Sequence, residues 1–284
     1  MLKPALKKIL LNLSPAAYKA WVFRALASFS WKTIGQHHLD PELLLLEDLL
    51  KDKNAVFLDI GANKGEFCFI AEKLIAGRNI YAFEPNPQLN RILSAIFPAV
   101  HVSPFAISDQ TGSSILKVPV IGKNTDDSLG TLEISHKEEK ETAQQTFHVQ
   151  TITLDDFVHE QKIDRIDLIK IDVEGHEMAV MKGAGKTINA FRPHLMVEIE
   201  ERHHRDQSIA TLLKPYFDMG YNACYFSFSQ LRLVEISNPG QVVQNLSDHG
   251  SRAYVNNFIF IHNKARFSSF IHEVNEKAGR ARHD

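Results

Sequence analysis

Cysteine is scarce in this chain: Cys68 and Cys224 are the only two in 284 residues, far apart and outside any C-x-x-C spacing. That excludes a disulfide framework and a cysteine-ligated zinc site, and it fits a reducing compartment. Long apolar runs are missing too, since none approaches the roughly 18–20 residues needed to cross a bilayer. Neither sign of charge is in large excess. The net charge is −2 and the pI about 6.7, so nothing in the balance favours a nucleic-acid partner. No H-x-x-x-H or H-E-x-x-H spacing occurs, so no metal site is expected. These absences leave a soluble, cytoplasmic protein as the expectation.

Acidic residues are absent from residues 1–39, which carry Lys3, Lys7, Lys8, Lys19, Arg24 and Lys32, a local charge of 6 − 0 = +6. Leu2, Leu6, Ile9, Leu10 and Leu13 recur beside them at helical spacing, and Trp21, Phe23, Phe29 and Trp31 follow. Such a segment can lie on an anionic membrane surface, or it can pack its apolar stripe on the rest of the chain. Asp40-Pro41-Glu42 then opens a helix, with Asp40 expected as N-cap and Pro41 at the first position. The chain divides into a helical extension over 1–53, a main domain over 54–262 and a polar helical tail over 263–284.

Within the main domain, apolar runs of strand length alternate with helical patterns. Strands are expected at Ala55–Ile60, Asn79–Phe83 and Val100–Ile107, with helices at Gly65–Ala76 and Gln88–Phe97 between them. This alternation implies a mostly parallel sheet covered on both faces, an α/β architecture. Ser114–Val118 and Phe147–Ile152 read as an inserted hairpin whose long polar loop spans 122–145. Alternation resumes with helix Leu154–Gln161, strand Ile166–Ile171, helix Glu177–Ala190, strand Pro193–Ile199 and helix Ser208–Met219. Tyr221–Phe228 and Asn257–His262 complete seven strands. Gln230–Val255 between these two reads as irregular and placed to fold over an active site.

Two strands end in breaks rich in glycine and polar residues, and ligands bind parallel sheets at such carboxyl ends. The first is Phe57-Leu58-Asp59-Ile60-Gly61-Ala62-Asn63-Lys64-Gly65. Gly61 and Gly65 let the backbone turn sharply beside a ligand, and Asn63 tolerates unusual backbone angles. Glu84 follows at the end of the next strand, where a carboxylate can accept hydrogen bonds from both hydroxyls of a ribose. The G-x-G-x-x-G fingerprint of dinucleotide sites is not met, because its second glycine falls at Asn63 and its third at Glu66. An acid at the helix start opposes pyrophosphate. A cofactor without phosphates fits better, which favours S-adenosylmethionine over NAD. The second break, Ile169-Lys170-Ile171-Asp172-Val173-Glu174-Gly175-His176-Glu177, packs three carboxylates and a histidine together. Asp172 should lie at the strand mouth near the cofactor, with Glu174 beside it. His176 is an alternative base, and Glu177 suits the start of a helix. A third polar break runs from Glu198 through Glu200 and Arg202 to His204. With Asp172 and Glu174 it could ligate a divalent cation, and a charged, solvated loop that contacts substrate is the expectation.

At these residues the chain resembles the FkbM family of S-adenosylmethionine-dependent methyltransferases. The resemblance rests on D-I-G-A-N-K-G at 59–65, F-E-P-N-P at 83–87, A-I-S-D-Q-T-G at 106–112, T-L-D-D-F at 153–157, I-K-I-D-V-E-G-H-E at 169–177 and R-P-H-L-M-V-E-I at 192–199. It implies a Rossmann-like, doubly wound sheet of the class I methyltransferase type. It also implies that Asp59, Gly61, Asn63 and Gly65 surround the methionine part of the cofactor and that Glu84 holds the ribose. Ala106, Ile107 and Asp109 would then border the adenine, and Asp172 and Glu174 would face a hydroxyl of a sugar, glycan or secondary metabolite. Members often carry Ala or Pro where His176 stands, so the resemblance assigns it no role. The competing reading is a non-catalytic nucleoside-binding module of the same fold.

Overall fold

The computed structural model describes residues 4–36, 39–121, 124–125, 129–133, 141–204 and 207–281. Helices α1 (Pro4–Leu13) and α2 (Pro15–Val22) meet at Ser14, whose Oγ accepts the Ala17 N–H and so caps α2. Beyond them Phe23, Leu26, Phe29 and Ile34 are buried in the main hydrophobic core, and Lys19 pairs with Glu72. Helix α3 (Glu42–Leu49) follows. Asp40 does not cap it: Pro41 stands at the cap position and no side chain closes the helix start. The Asp40 carboxylate is left to face elsewhere.

The expected alternation of strands and helices is present. Strand β1 (Phe57–Ile60), helix α4 (Glu66–Ala71), strand β2 (Ile80–Phe83), helix α5 (Pro87–Ile96) and strand β3 (His101–Ser103) form the first half. The strand expected at Val100–Ile107 divides, because Pro104 has no N–H to give a ladder. Ala106–Ile107 becomes β4 and leaves for a second sheet with β5 (Gly112–Ile121), β6 (Asn124–Thr125) and β7 (Glu141–Ile152), in the order β4-β7-β5-β6. β5 and β7 pair antiparallel through register Gly112↔Thr151 to Ile121↔Glu141, longer than their apolar cores suggest. Most of the loop expected at 122–145 lies outside the described residues.

Helix α6 (Leu154–Glu160), capped by Thr153, leads to strand β8 (Leu168–Ile171). The helix expected over Glu177–Ala190 is two, α7 (Glu177–Gly183) and α8 (Gly185–Phe191). A Cβ on Gly183 would fall 2.0 Å from the Ser108 carbonyl oxygen, so only glycine lets α7 pack this close to the end of β4. Strand β9 (His194–Glu198), helix α9 (Ile209–Asp218), strands β10 (Asn222–Ser227), β11 (Arg232–Ile236) and β12 (Asn257–Ile261), and helix α10 (Lys264–Arg280) complete the chain.

The main sheet has eight strands, in the order β11-β10-β12-β9-β8-β1-β2-β3, rather than seven. Pairing is parallel from β9 to β3 and antiparallel from β9 outward to β11. The additional strand, β11, is an edge strand with Leu233 and Ile236 buried but Arg232 and Glu235 exposed. Its short alternating pattern has no continuous apolar run to announce it. The polar tail is also more than it reads: Phe267, Phe270 and Val274 of α10 are fully buried with Leu45 and Leu46 of α3 in the same core. Lys277 fixes this packing by bonding the buried Asp48 at 2.9 Å. Among the described residues, no helix is long and apolar enough to cross a membrane.

Candidate active site

The carboxyl ends of β1, β2 and β8 converge on a cleft of about 620 Å³ lined by Gly61, Asn63, Glu84, Ile107, Asp172 and His176, among others. The first turn is built around backbone contact. Gly61 and Ala62 donate their N–H groups to the Phe83 carbonyl at 3.0 Å, tying the β1 exit to β2. Gly61 has φ +78°, and a Cβ there would stand 1.8 Å from the Asp172 carbonyl oxygen. Alanine at Gly61 is therefore expected to destabilise the fold by about 3 kcal/mol or more, read from urea unfolding. An unfolding midpoint equal to that of wild type would refute this account of the turn. Gly65, at φ +85°, turns away from the cleft against Leu93 and Phe97.

Glu84 sits at the end of β2 with only 6% exposure. Its Oε2 accepts the Asn63 N–H and its Oε1 the Asn86 N–H, both at 2.8 Å. Burial raises its pKa to about 7 even though both bonds favour the ionised form. Asn63 holds a left-handed backbone, φ +48°, and its buried Oδ1 has no hydrogen-bond partner among the described residues. An orphaned buried acceptor at the lip of a cleft is the mark expected of a ligand site. Phe105, Ala106, Ile107, Leu116 and Leu132 give the opposite wall an apolar character.

Asp59, expected at the cofactor, is instead fully buried behind the cleft and does not line it. Strand register sets it directly across from Lys170 of β8. Lys170 Nζ lies 3.6 Å from Asp59 and donates at 3.1 Å both to Asp172 Oδ2 and to the Gly61 carbonyl. Burial opposes the charge on Lys170, but Asp172 and Asp59 outweigh it and hold its pKa above the ordinary lysine value. Burial raises the Asp59 carboxyl in turn, with Lys170 and the Cys68 thiol opposing that rise. In the sequence Lys170 stands as a single polar residue of an apolar strand, with no role assigned. The signal that would have found it is a lysine inside a four-residue buried strand, which needs a buried acid as partner.

The acidic loop after β8 separates into distinct roles. Asp172 lines the cleft, half-buried and held by Lys170. Glu174, at φ +51°, also lines it, and its Oε2 faces Arg202 at 3.7 Å and His203 at 3.6 Å. Burial, with Asp172 and Glu200 nearby, pushes the Glu174 carboxyl well above the usual range. Glu198 at the end of β9 is raised well above it by burial and by Asp172 and Glu174. Burial also works to raise Glu200, but its bonds to Arg202 and Asn256 outweigh this and lower its pKa. Oxygens of Asp172, Glu174 and Glu198 lie within 4.8 Å of one another, a spacing that can hold a cation. These three belong to the second and third polar breaks named from the sequence as able to ligate a divalent cation, and the neighbouring strands β8 and β9 bring them together. Glu177 is fully occupied by the Gly175 N–H and by His204, as a helix-start residue would be.

His176 lines the cleft, but both of its ring nitrogens are engaged, Nδ1 with Glu133 at 2.7 Å and Nε2 with Ser108 Oγ at 2.9 Å. An ionised Glu133 accepts only, so Nδ1 carries a proton toward it, and Nε2 shares a hydrogen bond with the Ser108 hydroxyl. This leaves no ring nitrogen pointing to a substrate. Asp109 is not brought to the cleft: it pairs with Lys182 at 2.8 Å on the surface, which holds its carboxyl below the ordinary value.

The arrangement has a known counterpart in sequence. The model of the Methyltransferase FkbM domain matches residues 59–253. The chain belongs to the FkbM methyltransferase family. This FkbM-family chain is 27% identical over 165 residues to the hexuronic acid methyltransferase AglP of Haloferax volcanii, a match covering 55% of the chain and 59% of AglP. It thus spans under two thirds of that relative's length. Among solved structures, the methyltransferase FkbM of Methylobacillus flagellatus is 15% identical with a TM-score of 0.45, over 89% of this chain and 57% of that one.

Proposed function

We propose that the protein is an S-adenosylmethionine-dependent O-methyltransferase that acts on a sugar hydroxyl. The observation that carries this reading is the Glu84 carboxylate, braced by two backbone N–H groups at the cleft wall opposite the Asp172 cluster. Family membership supports the donor, and the name of the Haloferax relative supports a sugar acceptor. The residues present fit the donor. Glu84 suits the two ribose hydroxyls, the orphaned Asn63 Oδ1 suits an ammonium or hydroxyl donor, and the apolar wall at Phe105–Ile107 suits a purine. An acidic surround also suits a cationic sulfonium, whereas Glu66 in the first turn of α4 would repel a pyrophosphate. Gly65 and Asp59 serve this site by holding the turn and Lys170.

When bound, the donor supplies a methyl group on a positively charged sulfur. The chain's own residues then position and deprotonate. Lys170 donates to the Asp172 carboxylate at the strand mouth, where that carboxylate can take the proton of the attacking hydroxyl. Glu174 and Glu198, whose carboxyls burial pushes up, flank Asp172 and can bond the acceptor's neighbouring oxygens. Most of the catalysis is positioning. The test is transfer of a labelled methyl group from S-adenosylmethionine to a glycoside panel in excess EDTA. No step of this mechanism runs through a metal, so full activity in EDTA is expected. Activity lost in EDTA and restored by magnesium would replace the proton account with a bridging cation.

We also propose that α1 touches an anionic membrane surface. Ile9 and Leu13, 52% and 81% exposed, form an apolar stripe one turn apart on a segment with no acidic residue. Phe23, Leu26, Phe29 and Ile34 are packed in the core and are not available for this. Deleting residues 1–13 is expected to abolish flotation with phosphatidylserine vesicles, and unchanged flotation would dismiss the idea.

A further inference from the structure

Part of the cleft wall comes from the inserted sheet. Leu116 of β5 and Gly130 and Leu132 of the segment 129–133 line the cleft together with Asp172 and Glu174. The segment is held to its own sheet through the main chain. The Thr131 N–H donates to the Lys117 carbonyl and the Lys117 N–H to the Thr131 carbonyl, both at 2.9 Å. The Thr131 side chain, in a residue only 3% exposed, serves the acidic loop instead. Its hydroxyl donates to the Glu174 carbonyl at 2.7 Å and accepts the Glu133 N–H at 3.0 Å. Glu133 in turn bonds His176 Nδ1, and His176 Nε2 bonds Ser108 at the end of β4. Thr131, Glu133 and His176 thus tie the inserted sheet to the loop that carries Asp172 and Glu174.

That loop needs ties. Glu174 at φ +51° and Gly175 at φ +98° are successive residues in the left-handed region. A glutamate stays there only where its surroundings hold it. His176 stands at the cap position of α7, yet its side chain makes no cap bond and goes to the inserted sheet. A Cβ on Gly175 would stand 2.9 Å from the Cβ of His203, so the side of the loop toward His203 is already full. Were the Glu174 peptide to turn, its carboxyl would leave the position it shares with Asp172 and Glu198.

We propose that Thr131 and the Glu133–His176 pair are positioning residues for the acceptor: they fix the left-handed turn at Glu174 and so place its carboxyl for the acceptor's oxygens. This deepens the methyltransferase reading and rests on it. The division of labour follows from the bonds. The main-chain pair with Lys117 keeps Gly130 and Leu132 at the cleft whatever side chain stands at 131, whereas the hydroxyl is what reaches Glu174. Losing the hydroxyl should therefore disturb the acceptor and spare the donor.

The experiment uses the full chain and three variants. Thr131→Val keeps the branched shape without the hydroxyl, Thr131→Ser keeps the hydroxyl, and Glu133→Leu frees His176 Nδ1. Hydrogen exchange on the protein alone, read by mass spectrometry, should run about tenfold faster over 172–177 in Thr131→Val and Glu133→Leu. Thr131→Ser should match wild type, and β1 should be unchanged in all three. With the glycoside that wild type methylates fastest, Thr131→Val should raise the acceptor KM about tenfold while S-adenosylmethionine affinity stays within about twofold. In a Glu174→Ala background Thr131→Val should cost nothing further, because its effect runs through Glu174. Exchange over 172–177 unmoved in either Thr131→Val or Glu133→Leu overturns the proposal and leaves the methyltransferase reading standing. So does a Thr131→Val effect that falls on donor affinity, or one that persists in full without the Glu174 side chain. Wild type that binds no S-adenosylmethionine overturns the methyltransferase reading itself.

Discussion

Replacing Glu84 with alanine is expected to weaken S-adenosylmethionine binding by about 100-fold, because two charge-assisted bonds to ribose hydroxyls are lost together. The same residue should give the affinity a pH dependence. In the free protein its pKa is about 7, and the ribose hydroxyls donate to the ionised form. Affinity should therefore fall about tenfold for each pH unit below 7 and level off above it. Stability runs the other way. The folded value lies above the ordinary 4.5, so the contribution of Glu84 is complete below 4.5 and is lost as pH rises through about 7. Calorimetry from pH 5.5 to 8.5 on wild type and Glu84→Gln checks both. A Glu84→Ala protein with wild-type affinity would remove the ribose assignment.

Asp172→Asn should leave donor affinity within about threefold of wild type and lower kcat by about 100- to 1,000-fold. The amide can still accept from Lys170, so the buried pair with Asp59 persists and the loss reports proton transfer alone. Single-turnover methyl transfer separates the chemical step from product release. If kcat is retained, the base lies elsewhere. His176 would then have to exchange its bond to Ser108 for one to substrate.

Much of the fold was legible because parallel strands buried on both faces read as apolar runs, interrupted in β1 and β8 by a single charged residue each. Phe57–Ile60, Ile80–Phe83 and Leu168–Ile171 all lie where such runs stand. The half-exposed edge strand Arg232–Ile236 has no such run, and Pro104 cuts a continuous-looking strand through chemistry that the hydropathy pattern does not carry. At the site, Gly61, Asn63, Glu84, Ala106, Ile107, Asp172, Glu174 and His176 all line the one cleft. Asp59, Gly65 and Asp109 do not, because a motif records which residues occur together and not which way each side chain turns. Asp40 and Glu42 read as ordinary helix-start acids, since their place in a surface cleft beside Phe226 and Asn257 depends on strands more than 180 residues downstream. Long-range pairing of that kind leaves no local mark.

The burial of α10 against α3 sets a practical limit on dissecting the protein. The family match stops at 253, yet Phe267, Phe270 and Val274 beyond it and Leu45 and Leu46 before it interlock under the same sheet. A fragment trimmed to the matched residues would present that whole apolar face to water and would self-associate before its site could be assayed. Homology marks where this chain resembles its relatives. The piece that can be cut out and handled is longer at both ends.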